Sequence, residues 1–120
     1  MILLDSNIFI YLANGILERQ IIAGKDIAHA SITKIECLGF SRIQANELLL
    51  LEALFSESYT LPLTDDISER ATKLRQAKNM SLGDAIIAAT ALEHNYELWT
   101  ANVEDFAHIE GLRILNPIKS

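Results

Sequence analysis

A single cysteine, Cys37, and only two prolines, Pro62 and Pro117, occur in the 120 residues. One thiol cannot close an internal disulfide, so stability must come from packing, as in proteins of a reducing cytosol. Five glycines and 7% aromatics leave no low-complexity tract, linker or internal repeat. No apolar run approaches the ~20 residues of a membrane span. The opening run, cut off at Asp5, is too short for a secretory leader. Basic residues are outnumbered by acidic ones, 10 against 16, for a formal net charge of −6. That balance argues against a sequence-blind coat on nucleic acid. It does not exclude an enzyme acting on nucleic acid, because carboxylates gathered at a metal site are neutralised by the cations they bind.

What the chain has in quantity is apolar residues, 50% of the total. That is enough for one domain over residues 1–120 that buries roughly two-thirds of its unfolded surface. Ile2-Leu3-Leu4 reads as a buried first strand with Asp5 at its tip. Ser6 or Asn7 can cap a helix that runs to Ala13 and stops at Asn14-Gly15. A helical stretch is expected over 16–23, a short strand within 25–30, and a helix from Ser31. Thr33 and Glu36 in that helix stand at capping-box spacing. A leucine-rich helix over 43–54 precedes an extended segment, 59–63, which Pro62 restricts to a sheet edge. A charged helix over 65–78 carries Ile67, Ala71, Leu74 and Ala77 on one stripe. Residues 84–94 form a helix with almost no polar face, which belongs inside. A strand at 96–100, a short helix at 104–109 and a strand at 112–115 complete the chain. Strands alternating with helices imply right-handed crossovers and a parallel sheet covered on both faces, hence an α/β fold.

Four acids fall at expected strand ends or early helix turns: Asp5, Glu36, Asp84 and Asp105. In a parallel sheet the C-terminal strand ends face the ligand crevice, so a central first strand would bring them together. Without a cation they would repel and some would stay protonated. A hard divalent ion relieves that repulsion, since Mg²⁺ takes oxygen ligands, keeps several waters and shares phosphate oxygens. Such an ion acidifies water and stabilises charge developing on phosphorus, which suits phosphodiester hydrolysis. Each acid also has a local explanation, as a helix cap or a dipole partner. Order and spacing leave both readings open.

The stretches Leu4-Asp5-Ser6-Asn7, Thr33-Lys34-Ile35-Glu36, Gly83 to Ala91 and Thr100 to Phe106 resemble the signature blocks of the PIN-domain nucleases. Within them the likeness is to VapC-type toxins of toxin–antitoxin pairs, down to Leu112-Arg113-Ile114-Leu115-Asn116-Pro117. The resemblance implies a PIN-like three-layer α/β/α sandwich with a short central parallel sheet of four to five strands. It also implies a Mg²⁺- or Mn²⁺-dependent endoribonuclease acting on an RNA substrate, and a homodimer restrained by a cognate antitoxin. The family's metal-site acids fall on Asp5, Glu36, Asp84 and Asp105. Its supporting polar residues fall on Asn7 and Thr100, and on Asn102. An antitoxin is expected to meet the acidic pocket with an Arg or Lys in the cation's place. Two departures are visible. Gly83 stands where many relatives have Pro, and Ala101 where many have a basic or bulky residue. Neither is expected to touch a proposed ligand.

Other residues have plainer expectations. Cys37 reads as a small buried hydrophobe, and His29, His94 and His108 as structural or surface residues without metal-ligand spacing. Trp99 reads as core or interface. Lys34, Arg42, Lys73, Arg75 and Lys78 are either RNA-backbone contacts or a solvated face. The leucine-rich helix offers a core, dimer or antitoxin face. Two alternatives stand beside the ribonuclease. A catalytically inactive PIN-like protein-binding module would hold no divalent ion. A phosphoacceptor receiver domain would need an acid pair after the first strand, where Ser6-Asn7 stands, and an Asp ending the third, which is missing.

Overall fold

Alternation along very short strands decides which face each side chain reaches. In the computed structural model, which describes residues 1–118, the strands are Ile2–Leu4 (β1), Ile27–Ala30 (β2), Tyr59–Leu61 (β3), Glu97–Trp99 (β4) and Ile114–Leu115 (β5). The last two residues of the expected 1–120 unit lie outside that range. The five strands lie in the order β3-β2-β1-β4-β5, all parallel. Leu4, Ile27 and Trp99 enter one apolar cluster, whereas Leu3, Ala28, Ala30 and Leu98 enter another on the opposite face.

Helices Ser6–Ala13 (α1), Ser31–Leu38 (α2) and Ala45–Ser56 (α3) belong with the first cluster, through Ile8, Phe9, Leu12, Cys37, Leu51, Leu54 and Phe55. The second face is covered by Leu82–His94 (α5), through Ile87, Ala88 and Ala91. Asp65–Ala77 (α4) lies outside α5, its Ile67 and Ala71 packed on Ala85, Ile86 and Ala89. Helix α5 is thus buried on two sides, which is why it lacks a polar face and uses alanine so freely. The result is the expected three-layer α/β/α arrangement, with α4 as an outer tier. Among the described residues no helix is long and apolar enough to cross a membrane.

Several expected boundaries shift. The helix over 16–23 shrinks to a 3-10 turn, Arg19–Ile22, and that over 104–109 to another, Val103–Asp105. Helix α5 starts two residues early because Ser81 caps it, its Oγ accepting from the Asp84 amide at 3.1 Å. The capping box at Thr33 and Glu36 does not form. Strand β2 passes directly into α2 with Ala30 at the cap position and no side-chain cap. Thr33 is therefore inside the helix, its hydroxyl buried and without a partner among the described residues. Strand β3 does lie at an edge, and Pro62 follows its last residue.

His29, on β2, is fully buried against Phe9 and Phe55. Its two ring nitrogens meet the hydroxyls of Ser58, at 2.8 Å, and Thr60, at 3.1 Å. Burial, with the Lys34 charge adding to it, pushes the imidazole down to about 4. Cys37 is buried as expected, and burial pushes its thiol up to about 12. Trp99 is core, its indole N–H donating to Glu97 at 2.8 Å.

Two outcomes follow. The unfolded chain takes up a proton on His29 near pH 6.5 and the folded chain only near 4, so His29 costs stability as pH falls through that window. In urea titrations the stability difference between wild type and His29→Gln should shrink from pH 7 to pH 5; a constant difference would contradict a neutral, buried imidazole. Thr33→Val removes an unpaired hydroxyl at constant shape and should raise stability by about 1 kcal/mol, read from the same titration. A loss of that size would mean that the hydroxyl has a partner.

Candidate metal centre

The order of strands reverses beside β1, since β2 and β3 extend to one side and β4 and β5 to the other. Ligands of open parallel sheets bind at such a switch point, beyond the C-terminal strand ends. Leu4 pairs in register with Trp99, so the next residues, Asp5 and Thr100, stand side by side at the crevice. The Asp5 amide continues the ladder to the Trp99 carbonyl at 3.0 Å.

Asp5, only 5% exposed, divides its oxygens between two tasks. Oδ1 accepts from the Ser6 amide at 2.8 Å and caps α1. The cap is thus Asp5 itself, not Ser6 or Asn7. Oδ2 accepts from Thr100 Oγ1 at 2.7 Å and Asn7 Nδ2 at 3.2 Å. Thr100 Oγ1 in turn accepts from the Asn102 amide at 3.0 Å, and Asn7 Oδ1 from the Ala101 amide at 3.1 Å. The two loops are stitched together around one carboxylate. Asn102 joins this network through its backbone amide.

Glu36 is exposed in the second turn of α2 and reaches the same place by another route. Its Oε1 accepts from Ser6 Oγ at 2.8 Å. A Cβ added at Gly83 would lie 2.9 Å from its Oε2. The expectation that position 83 touches no proposed ligand is therefore corrected: the Glu36 carboxylate rests in the room left by the missing side chain. Sequence reasoning also passed over Ser6. Its position directly after Asp5 was the available signal.

Asp84 is partly buried in the first turn of α5 and shares a small pocket with Asp105, which is exposed. Burial holds the Asp5 carboxyl above its ordinary range, with the Glu36 charge adding to it and bonds from Thr100, Ser6 and Asn7 opposing. Burial likewise raises Asp84, with the charges of Asp5 and Asp105 adding and the Ser81 hydroxyl opposing. Asp5 and Asp84 thus each feel the charge of another of the four acids. A carboxyl raised in this way contributes stability only at low pH and loses it as pH rises through its folded pKa.

None of the four forms an ion pair among the described residues. As placed, no three His, Cys, Asp or Glu side chains among those residues close around a single point tightly enough to cage an ion. A Mg²⁺-like ion needs no such cage, since it binds through one or two carboxylates and keeps waters. The donor set is all oxygen, and none of its carboxylates is ion-paired among the described residues, which fits a hard divalent cation.

The PIN domain family model matches residues 2–112, and the chain belongs to that family. It is 32% identical over 98 residues to Ribonuclease VapC1 of Rickettsia felis, covering 80% of this chain and 68% of that protein. A toxin–antitoxin complex from Klebsiella pneumoniae contains a chain 31% identical, with a TM-score of 0.80 and both chains covered in full. VapBC2 of Rickettsia felis, bound to a promoter DNA fragment, contains one that is 24% identical with a TM-score of 0.82, covering 97% of this chain and 98% of that one. The last likeness is one of fold.

Thr100→Val deletes the shortest hydrogen bond to Asp5, and that bond favours its charged form. In the metal-free protein the Asp5 carboxyl, followed by ¹³C NMR titration, should shift further upward. An unchanged titration would remove Thr100 from the account of the site.

Proposed function

We propose that this protein is the toxin of a type II toxin–antitoxin pair, an endoribonuclease that hydrolyses RNA phosphodiester bonds with Mg²⁺ or Mn²⁺. The observation that carries the reading is the buried Asp5 carboxylate at the sheet's switch point, neighbour to other acids and to no base. Asp5 and Asp84 are the strongest candidates for direct oxygen ligands, because burial has already stripped them of part of their water. Glu36 and Asp105, both exposed, complete the acidic rim and take an ion directly or through water. Thr100 and Asn7 hold Asp5 in one orientation, and Ser6 does the same for Glu36. A bound ion supplies charge neutralisation at the phosphate and acidifies the attacking water. The carboxylate oxygens not engaged by an ion would accept hydrogen bonds from a water and orient it.

The likeness to chains from toxin–antitoxin complexes supports an antitoxin partner, whose Arg or Lys would neutralise the same carboxylates. Exposed Ile35 and Phe40, with Leu49 and Leu50 on α3, offer apolar surface for that antitoxin or for a second copy in a homodimer. A lone reduced cysteine suits a cytoplasmic protein. The whole activity is assigned to one PIN-like unit over residues 1–120.

Total cellular RNA should be cut at mapped positions when Mn²⁺ or Mg²⁺ is supplied and left intact in EDTA. Asp5→Ala and Asp84→Ala should each lower the rate by about 100-fold or more while circular dichroism shows the fold kept. Equal cutting by both variants and by the EDTA-treated protein would remove the enzymatic reading. Failure of wild type to bind any divalent ion would favour a protein-binding module.

A further inference from the structure

A pocket of about 220 Å³ is lined by Lys78, Ser81 and Asp84 from the α4–α5 connection and the start of α5, and by Glu104, Asp105 and His108 from the second 3-10 turn and the loop after it. That volume is below the ~300 Å³ at which pockets begin to enclose drug-sized ligands, so it suits one sugar–phosphate unit better than a whole nucleotide. Five basic residues were equal candidates for RNA contacts on sequence grounds, and their surroundings now separate them. Lys73 pairs with Glu69 at 3.6 Å and lines a different groove, with Arg70 and Glu93. Arg75 donates to the Met80 carbonyl at 3.2 Å. Lys34 and Arg42 are exposed on α2 and on the loop after it. Lys78, the residue that follows α4 as its C-cap, forms no ion pair among the described residues and lines the pocket beside the acids. His108, set aside earlier as a surface residue, is exposed on the opposite loop and lines the same pocket.

From this juxtaposition we propose that Lys78 and His108 form a phosphate subsite, which holds the RNA phosphate next to the one being cut. The inference rests on the ribonuclease reading and extends it by naming where the strand leaves the acidic centre. An acidic rim repels an RNA backbone unless the neighbouring phosphate finds a donor. Lys78 supplies a point charge on a flexible stem, and His108 supplies a ring N–H. The Ser81-capped start of α5 faces the same pocket with its positive dipole end. The two side chains sit on the α4–α5 connection and on the loop after the second 3-10 turn. The strand would therefore pass between those two loops, over Asp84 and Asp105.

Binding of a fluorescent single-stranded oligoribonucleotide, with Ca²⁺ replacing the catalytic ion, tests this across a salt series. Lys78→Ala should lower the log–log salt slope by about 0.7, the value for one phosphate contact on a single strand. It should weaken binding about fivefold, as expected for one partly exposed charge contact, and Lys78→Arg should restore both. His108→Ala should weaken binding in the same sense. Lys73→Ala, in the other groove, should leave slope and affinity at wild-type values. Wild-type cleavage together with Lys78→Ala and Lys73→Ala slopes that match would overturn the subsite and spare the ribonuclease. Wild type that neither binds nor cuts RNA would overturn both.

Discussion

Burying the Asp5 carboxylate costs free energy, and the organisation of the crevice follows from how that cost is met. An ionised group taken from water needs hydrogen bonds or counter-charge. Asp5 receives three hydrogen bonds, from Ser6, Asn7 and Thr100, and no cation among the described residues. The donors come from the start of α1 and from the end of β4, two parts of the chain joined in space only because β1 and β4 are neighbours. The charge is thus oriented but not neutralised, and the Glu36 charge works against it.

The site is also asymmetric in depth. Asp5 is buried, Asp84 partly so, and Glu36 and Asp105 are exposed. On the proposed reading, a rigid carboxylate at the bottom and adjustable ones at the rim suit an ion that must accept a large substrate. Gly83 enters here, because the Glu36 carboxylate lies where a side chain would stand. Glu36 is the far end of a flexible side chain, so a bulkier residue at 83 would displace the carboxylate before it disturbed α5.

Much of this was legible in the residues themselves. Ile2-Leu3-Leu4 ending in Asp5 marked a buried first strand, and the nearly all-apolar run from Ala85 to Leu92 marked a helix that belongs inside. The four acids could be singled out because each falls where a strand ends or a helix begins. Less visible was what depends on contacts far apart in the chain. Thr33 and Glu36 match a capping box by spacing, yet β2 runs straight into α2 and leaves no loop for Thr33 to cap. The neighbourhood of Gly83 and Glu36 spans two helices, and no local pattern encodes it. Lys78 could not be told from Lys73 by composition; only the surroundings of each distinguish them. The short helices expected over 16–23 and 104–109 failed for a different reason, since apolar content signalled burial and not helical length.

The outer tier formed by α4 has a consequence for how the chain tolerates change. That helix rests chiefly on α5 through Ile67 and Ala71, so most of its polar face can drift without disturbing the acidic crevice. Its terminus is different, because the chain turns there towards Ser81 and the acids within a few residues. A permissive surface and a demanding one therefore share a single helix, and a family alignment would be expected to show variable columns giving way abruptly to constrained ones at its final turn.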